Sequence, residues 1–311
     1  MNKEKNFMSA VVYVHNEEPY IADFLEKMIC FLEEHFEHSE IICVNDFSTD
    51  NSVGEIKRAG RKAKTTAVSV LNMSYFHGVE TAMNAGVDLS IGDFVLEVDR
   101  TVQDYAPEEI MNVYRKVLEG YDIVSASPDR KQRFTSSLFY QVYERFSDHN
   151  QKICSETFRV LSRRALNRVG SMSRTVPYRK GIYANCGLRT LNIRYHAVGA
   201  PVQVREDKSL RKYRSSLAAD ALLLFTDAGY FCSKLMTGLM MFLSLFMIVY
   251  TVAVYAMAKP VAGWTTTILF LAVAFLGLFI ILTIIIKYLQ ILLKLSFQRT
   301  KYSFESIEKL S

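Results

Sequence analysis

Residues 235–257 read LMTGLMMFLSLFMIVYTVAVYAM and residues 264–286 read WTTTILFLAVAFLGLFIILTIII, and neither run carries a charge. A helix of about 20 apolar residues spans a hydrocarbon layer of roughly 30 Å, so each run is long enough to cross a bilayer. The AKPVAG link between them holds Pro260 and Gly263, residues that punctuate helices. The pattern predicts a transmembrane hairpin. The alternative, two buried core helices, would have to be enclosed by a soluble domain too small to hide them. Lys208, Arg211, Lys212, Arg214 and Lys234 precede the first run, and Lys287, Lys294, Arg299 and Lys301 follow the second. The link carries only Lys259. Excess Lys and Arg mark cytoplasmic flanks, which predicts both long ends inside and the link outside.

That concentration of apolar residues explains an otherwise ordinary average, 50% hydrophobic and 22% charged over 311 residues. The net charge of +5 is too mild to suggest a nucleic-acid partner. Cys30, Cys43, Cys154, Cys186 and Cys232 are scattered and form no CxxC pair. They read as reduced thiols rather than a disulfide framework or zinc site. The opening MNKEKNFMSAVVYVHNEE has no signal-like apolar stretch, so the first two-thirds is expected in the cytosol. LAADALLLF at 217–225 is too short to span. It reads either as a core helix or, as we favour, an interfacial helix whose neighbours Arg211, Lys212 and Arg214 meet lipid phosphates.

The preceding part alternates. MSAVVYVH, EIICVNDFSTD, AVSVLNM and DFVLEVD are strand-like apolar runs, separated by helical patterns in IADFLEKMICFLEEHF, residues 52–59 and HGVETAMNAGVDLS. Such alternation predicts a mostly parallel sheet with helices on both faces. Ligands of such sheets bind beyond the carboxyl ends of the strands. Polar clusters at Asn16, Asp46 and Asp99 all fall at those ends. Taken singly, each has a bland reading as a turn or helix cap, Ser48 and Asp50 included. Three on one rim argue for a site.

A nucleotide-sugar suits such a rim. Asp46 could accept from a base edge, and Ser48 and turn amides could hold ribose or phosphate oxygens. A diphosphate usually needs Mg²⁺ or Mn²⁺, which take hard oxygen ligands. Asp99 is the candidate ligand, with Glu97 two residues earlier on the same strand face. The ion would counter the leaving diphosphate. Neither GxGxxG nor GxxxxGK[ST] is present, which disfavours a dinucleotide enzyme or P-loop NTPase. His15 and His77 read as ordinary residues near the cleft.

The succession VVYVHNEEPYI, IICVNDFSTDNS and NMSYFHGVETAMNAGVDLSIGDFVLEVD resembles the GT-A-type family 2 glycosyltransferases. It is most similar to the polyprenyl-phosphate group containing dolichol-phosphate mannose synthases and bactoprenol glucosyltransferases. The likeness continues through GYDIVSASPDRKQR, FRVLSRRAL and VREDKSLRKYRSSLAADALLLF to KYSFESIEKL. It implies a GT-A, Rossmann-like α/β domain over 1–213, a juxtamembrane interfacial region over 214–233, two transmembrane helices within 234–290 and a cytosolic tail over 291–311. It also implies inverting transfer of a sugar, from a UDP-sugar by expectation, to a polyprenyl phosphate at the cytosolic face of the inner membrane. The acceptor phosphate attacks the anomeric carbon directly. Asn16, Glu18, Asp46, Ser48 and Asp50 would bind the donor. Asp99, Glu156 and Arg159 would act in catalysis, and Arg130, Arg133, Arg205 and Lys212 would position the acceptor phosphate. Hairpin-anchored members of the group often associate, which implies a homo-oligomer.

Several positions depart from the pattern. Asp-x-Asp is here Asp99-Arg100-Thr101, and the following VQDYAPEEI is one residue longer. Phe47 stands for a glycine, Thr157 for an acidic residue, and Glu206-Asp207-Lys208 for a Gly-rich segment. Glu97 and Asp104 could complete a modified metal site, or Arg100 could replace part of the ion's charge. The alternative is a catalytically impaired protein of the same fold that serves as a binding or scaffold component.

Overall fold

Seven of the expected elements recur, almost residue for residue, in the computed structural model. It describes residues 3–130, 134–146, 155–172, 178–198, 208–225 and 304–309, with isolated helical positions between 231 and 292. The chain runs β1 (Met8–Val14), α1 (Glu18–His35), β2 (Ser39–Asn45), α2 (Ser52–Gly60), β3 (Ala67–Met73), α3 (Val79–Leu89) and β4 (Phe94–Val98). It continues with α4 (Glu108–Leu118), β5 (Ile123–Pro128), α5 (Phe134–Phe146), β6 (Phe158–Ser162), α6 (Arg163–Met172), α7 (Arg179–Asn185), β7 (Thr190–Tyr195), α8 (Lys208–Phe225) and β8 (Phe304–Lys309).

The strands form one sheet in the order β7-β5-β6-β4-β1-β2-β3-β8. β3, β2, β1 and β4 are mutually parallel, and β7 is parallel to β5. β6 runs against both β4 and β5, and β8 runs against β3. β1 and β2 are buried along their whole length apart from Glu40, as expected of strands covered on both faces. Ala10, Val12, Ile41 and Cys43 pack with α1 and α4 on one face. Val11, Tyr13, Ile42 and Val44 pack with α3 on the other. The closest approach there is at Gly86, where a Cβ would lie 2.4 Å from Cγ1 of Val11.

The tail expected over 291–311 contains a surprise. Its residues Phe304–Lys309 join the sheet beside β3, in register Leu71↔Ile307, with a shift between Asn72 and Met73. Sequence gave little warning, because FESIEK is short and half charged. Pairing with an exposed strand edge supplies what the side chains do not.

The chain divides into two units. One comprises Met1–Glu144, His149–Ala218 and Thr300–Ser311 and holds every described strand. The other comprises Arg145–Asp148 and Ala219–Arg299. The two spans expected over 235–257 and 264–286 lie, isolated positions apart, outside the described residues. Among the described residues, no helix is long and apolar enough to cross a membrane. The described positions of the second unit leave large apolar side chains exposed on successive turns. Leu235, Phe242 and Phe246 are 65%, 67% and 57% exposed, and Leu282, Ile285, Leu289 and Leu292 lie between 46% and 59%. Cys43 and Cys186 are buried, Cys30 is exposed, and all three are free.

Candidate active site

β1 is flanked by β2 on one side and β4 on the other, so the strand order reverses there, the point at which open α/β sheets form a ligand crevice at the strands' carboxyl ends. Two loops are zipped together at that edge. Asn16, in the left-handed region at φ 56°, donates its backbone N–H to Ser48 Oγ at 3.1 Å. Its Oδ1 accepts the Thr49 N–H at 2.8 Å. The Glu18 N–H reaches Asp50 Oδ2 at 3.0 Å, and Glu18 Oε2 accepts the Asn51 N–H at 3.1 Å. Asp50 also accepts from the Ser52 N–H and hydroxyl. Burial would raise the Asp50 pKa, but the Ser52 hydroxyl and the backbone N–H groups outweigh it and hold it low. Asn16, Glu18, Ser48 and Asp50 are thus brought together as expected, largely by bonding one another. Glu17, not singled out from the sequence, spans the crevice. Its Oε2 accepts the Thr101 hydroxyl at 2.7 Å, and burial raises its pKa despite that bond and the nearby Arg100.

Asp46 occupies a different position from the open rim. Its side chain is fully buried. One carboxylate oxygen accepts the His77 N–H at 2.8 Å, and the other accepts the Gly78 N–H at 2.8 Å and the Tyr13 hydroxyl at 3.0 Å. Burial raises its pKa, against the lowering effect of those three bonds. Asp46, expected at a base edge, thus engages both carboxylate oxygens with the turn before α3 and with Tyr13 in this arrangement. His15 braces the same point from above, its Nδ1 lying 2.7 Å from the Asp46 carbonyl oxygen. Exposed beside it is Phe47, 50% exposed at φ 58°, a backbone conformation costly for a bulky residue.

The expected metal ligands are also engaged. Glu97 is fully buried. Its Oε2 lies 2.7 Å from Arg179 Nη1 and 3.2 Å from Arg159 Nη1, and its Oε1 accepts the Tyr183 hydroxyl at 2.7 Å. Asp99 Oδ1 accepts Arg179 Nη2 at 2.7 Å, and Oδ2 accepts Arg159 Nη2 at 2.9 Å. Glu80 accepts both the Arg179 Nε and its backbone N–H at 2.9 Å. Glu156 lies 3.3 Å from Arg159 Nε. The Nε and Nη1 of Arg159 make no angularly sound hydrogen bond, so those contacts are ion pairs only. Burial would raise the Asp99 pKa, yet Arg179, Arg159 and Lys180 together hold it well below the usual carboxylate range. Among the described residues, no group of three or more His, Cys, Asp or Glu is placed to hold a metal ion. The residues present do not fit the Mg²⁺ or Mn²⁺ site expected at Glu97 and Asp99.

Strand pairing explains half of this cluster. β6 is antiparallel to β4, which sets Arg159 opposite Glu97 and brings Glu156 to the same edge as Asp99. Arg159, expected to act in catalysis, is buried and ion-paired with Glu97 and Asp99. Asp104, weighed as a further ligand, accepts the Tyr195 hydroxyl at 2.6 Å. Of the acceptor-phosphate candidates, Arg130 donates to the Ala197 carbonyl at 3.2 Å and Lys212 is exposed on α8. Arg133 and Arg205 lie outside the described residues. Arg179, Glu80 and Tyr183 were missed. The lone signal was an Arg-Lys pair at the head of an otherwise apolar helix, which names no partner 80 residues away.

A family model described as Glycosyl transferase family 2 matches residues 9–170. An uncharacterized glycosyltransferase of Synechocystis sp., sll0501, is 29% identical over 188 residues, 58% of each chain. The uncharacterized glycosyltransferase YkcC of Bacillus subtilis is 25% identical over 273 residues, 84% of this chain and 81% of its own. The undecaprenyl-phosphate 4-deoxy-4-formamido-L-arabinose transferase of Shewanella sediminis is 31% identical over 150 residues, 46% of this chain and 44% of its own. The chain thus spans well under two thirds of the first and third of these relatives. Glucosyl-3-phosphoglycerate synthase from Mycobacterium tuberculosis, solved with phosphoglyceric acid, superposes with a TM-score of 0.51 at 17% identity, covering 70% of this chain and 79% of that one. A mannosyltransferase from Pyrobaculum calidifontis, solved with GDP-Man and Mn²⁺, covers 88% and 87% at 17% identity with a TM-score of 0.48. At such identity the likeness to the synthase concerns the α/β fold alone.

Proposed function

The chain belongs to glycosyl transferase family 2, and from that premise we propose that it transfers a sugar from a nucleotide-diphosphate sugar to a polyprenyl phosphate at a membrane surface. The observation that carries this reading is the crevice at the strand-order reversal. There the loops after β1, β2 and β4 converge, in the position where open α/β sheets take nucleotide ligands, and all three lie within the family-matched stretch. The turn at 75–78, held by Asp46, and the zipped loops at 15–18 and 46–52 form its floor and wall. Exposed Phe47 offers an aromatic face for a base.

The acceptor is inferred from relatives such as the Shewanella transferase, whose name specifies undecaprenyl phosphate. A phosphate monoester is already ionised near neutral pH, so its oxygen can attack the anomeric carbon without a strong general base. The new C–O bond forms as the bond to the nucleotide diphosphate breaks, with inversion. The protein's task is to hold donor and acceptor in line and to stabilise the departing charge. Lys212 on α8, with Arg130, would meet the acceptor phosphate.

One observation supports membrane anchorage through the second unit, and a second constrains its topology. Its described positions expose large apolar side chains on successive helical turns, which water disfavours and lipid accepts. In addition, β8 lies in the same sheet as β1–β7, so any crossing between α8 and β8 must be matched by a return. A hairpin satisfies that condition, with the catalytic unit and residues 304–309 on the cytosolic side. Association into a homo-oligomer is carried over from the resemblance only.

The test is a panel of UDP- and GDP-sugars offered to the detergent-purified full chain, with undecaprenyl phosphate as acceptor and sugar on lipid as the readout. Transfer from one donor establishes the activity and names the sugar. Donor binding without transfer from any sugar marks a binding component instead. Failure of every nucleotide to bind sinks the reading while leaving the fold untouched.

A further inference from the structure

Resting on the reading of this crevice as a nucleotide-sugar site, we propose that it works without a bound divalent cation. Arg179, backed by Arg159, fills the position between Glu97 and Asp99, and Arg100 at the mouth supplies the positive charge that meets the leaving diphosphate.

Glu97 is fully buried, with guanidinium nitrogens of Arg179 and Arg159 on one oxygen and the Tyr183 hydroxyl on the other. Asp99 gives one oxygen to each arginine. Mg²⁺ demands near-ideal octahedral geometry, and such cations draw on carboxylate oxygens not already spent. To seat one here, two charge-assisted hydrogen bonds at 2.7 Å would have to break.

Arg179 is not placed to swing aside. Its backbone N–H and its Nε both bond Glu80 Oε2 at 2.9 Å, so main chain and side chain are pinned by one carboxylate. Burying a guanidinium is costly unless its donors are met, and here three carboxylates meet them. The side chain is therefore a fixed part of the floor rather than a latch. It acts as a positioning residue, through Glu97 and Asp99.

The charge balance then points to Arg100. Glu80, Glu97, Asp99 and Glu156 carry four negative charges against the two of Arg159 and Arg179. An excess of two negative charges beneath a diphosphate would repel it. Lys180, whose charge acts on Asp99, and exposed Arg100, whose charge acts on Glu17, bring positive charge to the same place with residues the chain already has. Arg100 is exposed, and its charge acts on the Glu17 carboxylate across the crevice rather than being tied in a direct ion pair. Because a divalent ion would balance the same excess, the two cases are separable by experiment.

The experiment is a Mn²⁺ titration of the detergent-purified full chain followed by electron paramagnetic resonance, alone and with UDP or GDP, beside calorimetric UDP binding in EDTA and in Mn²⁺. The expected result is no Mn²⁺ retained beyond what free nucleotide takes up, and UDP affinity that changes less than about twofold between the two media. Arg100→Ala should weaken UDP binding about tenfold and UMP binding far less, a split that loss of structure would not produce. Arg179→Met removes one of the two guanidinium groups from Glu97 and Asp99 and leaves Arg159 on both; its melting temperature should fall, and Mn²⁺ should restore part of the loss while leaving the unmodified protein unchanged. Stoichiometric Mn²⁺ held by the unmodified protein, or UDP binding abolished by EDTA, overturns the proposal even if Arg179→Met does not fold. Should neither nucleotide bind in either medium, the donor reading fails. The titration without nucleotide and the melting response then still decide whether the arginine excludes the ion.

Discussion

Phe47 is where a single residue shows the strongest conflict between local preference and position. It follows Asp46 at φ 58°, in the left-handed region that costs an L-residue roughly 1–2 kcal/mol, and its ring is half exposed. Burial of half the ring repays only part of that strain, and the exposed half is open to a ligand. Phe47→Gly removes the strain but adds about 0.5–1 kcal/mol of unfolded-chain entropy. We expect thermal stability to hold or rise by up to about 1 kcal/mol, while nucleotide affinity falls several-fold. A melting curve paired with UDP calorimetry checks both signs. A clear loss of stability would show instead that the ring packs against the protein.

Between elements, the decisive joint is the turn that links β3 to α3. Asp46 at the end of β2 fixes the His77 and Gly78 amides, and Gly78 at φ 85° lies under the Tyr213 ring of α8. A Cβ at Gly78 would sit 2.1 Å from Tyr213 Cζ, and Phe76 meets the same ring edge-on at 5.8 Å. The basic helix that carries Lys212 is thereby seated on the turn before α3. Gly78→Ala should destabilise the protein by about 1–3 kcal/mol from backbone strain and displaced Tyr213. It should also weaken donor binding, because it disturbs a donor to Asp46. Tyr213→Ala in the same background should recover the steric part only. If Gly78→Ala melts like the unmodified protein, the contact between α8 and the turn is not formed.

At the scale of the whole molecule, the returning strand β8 constrains topology. Strands β1–β7 and β8 share one sheet, so the AKPVAG link and the sheet should lie on opposite sides of the bilayer if the hairpin crosses it. In a chain stripped of other cysteines, Ala262→Cys should react with a membrane-impermeant maleimide on intact cells. The native Cys30, exposed on α1, should react only after permeabilisation. Labelling of both positions only after permeabilisation would remove the crossing. Labelling of Cys30 on intact cells would invert the orientation.

The amino-acid order alone determined the alternating elements from β1 to β4 and the placing of Asn16, Asp46 and Asp99 at one edge. These follow from local rules: apolar runs of strand length, helical spacing, and polar residues where a buried strand must end. The tertiary structure decided what those residues do. Asp46 turns inward because three donors from β1 and from the turn before α3 converge on it. Glu97 and Asp99 face arginines rather than an ion because antiparallel β6 sets Arg159 across from Glu97 and α7 delivers Arg179 from 80 residues away. β8 closes the sheet edge through backbone hydrogen bonds that its side chains do not announce. Local periodicity is written in neighbouring residues, whereas the partner of a buried charge is fixed only when distant strands pair, and that pairing has no signature in the order of the residues around it.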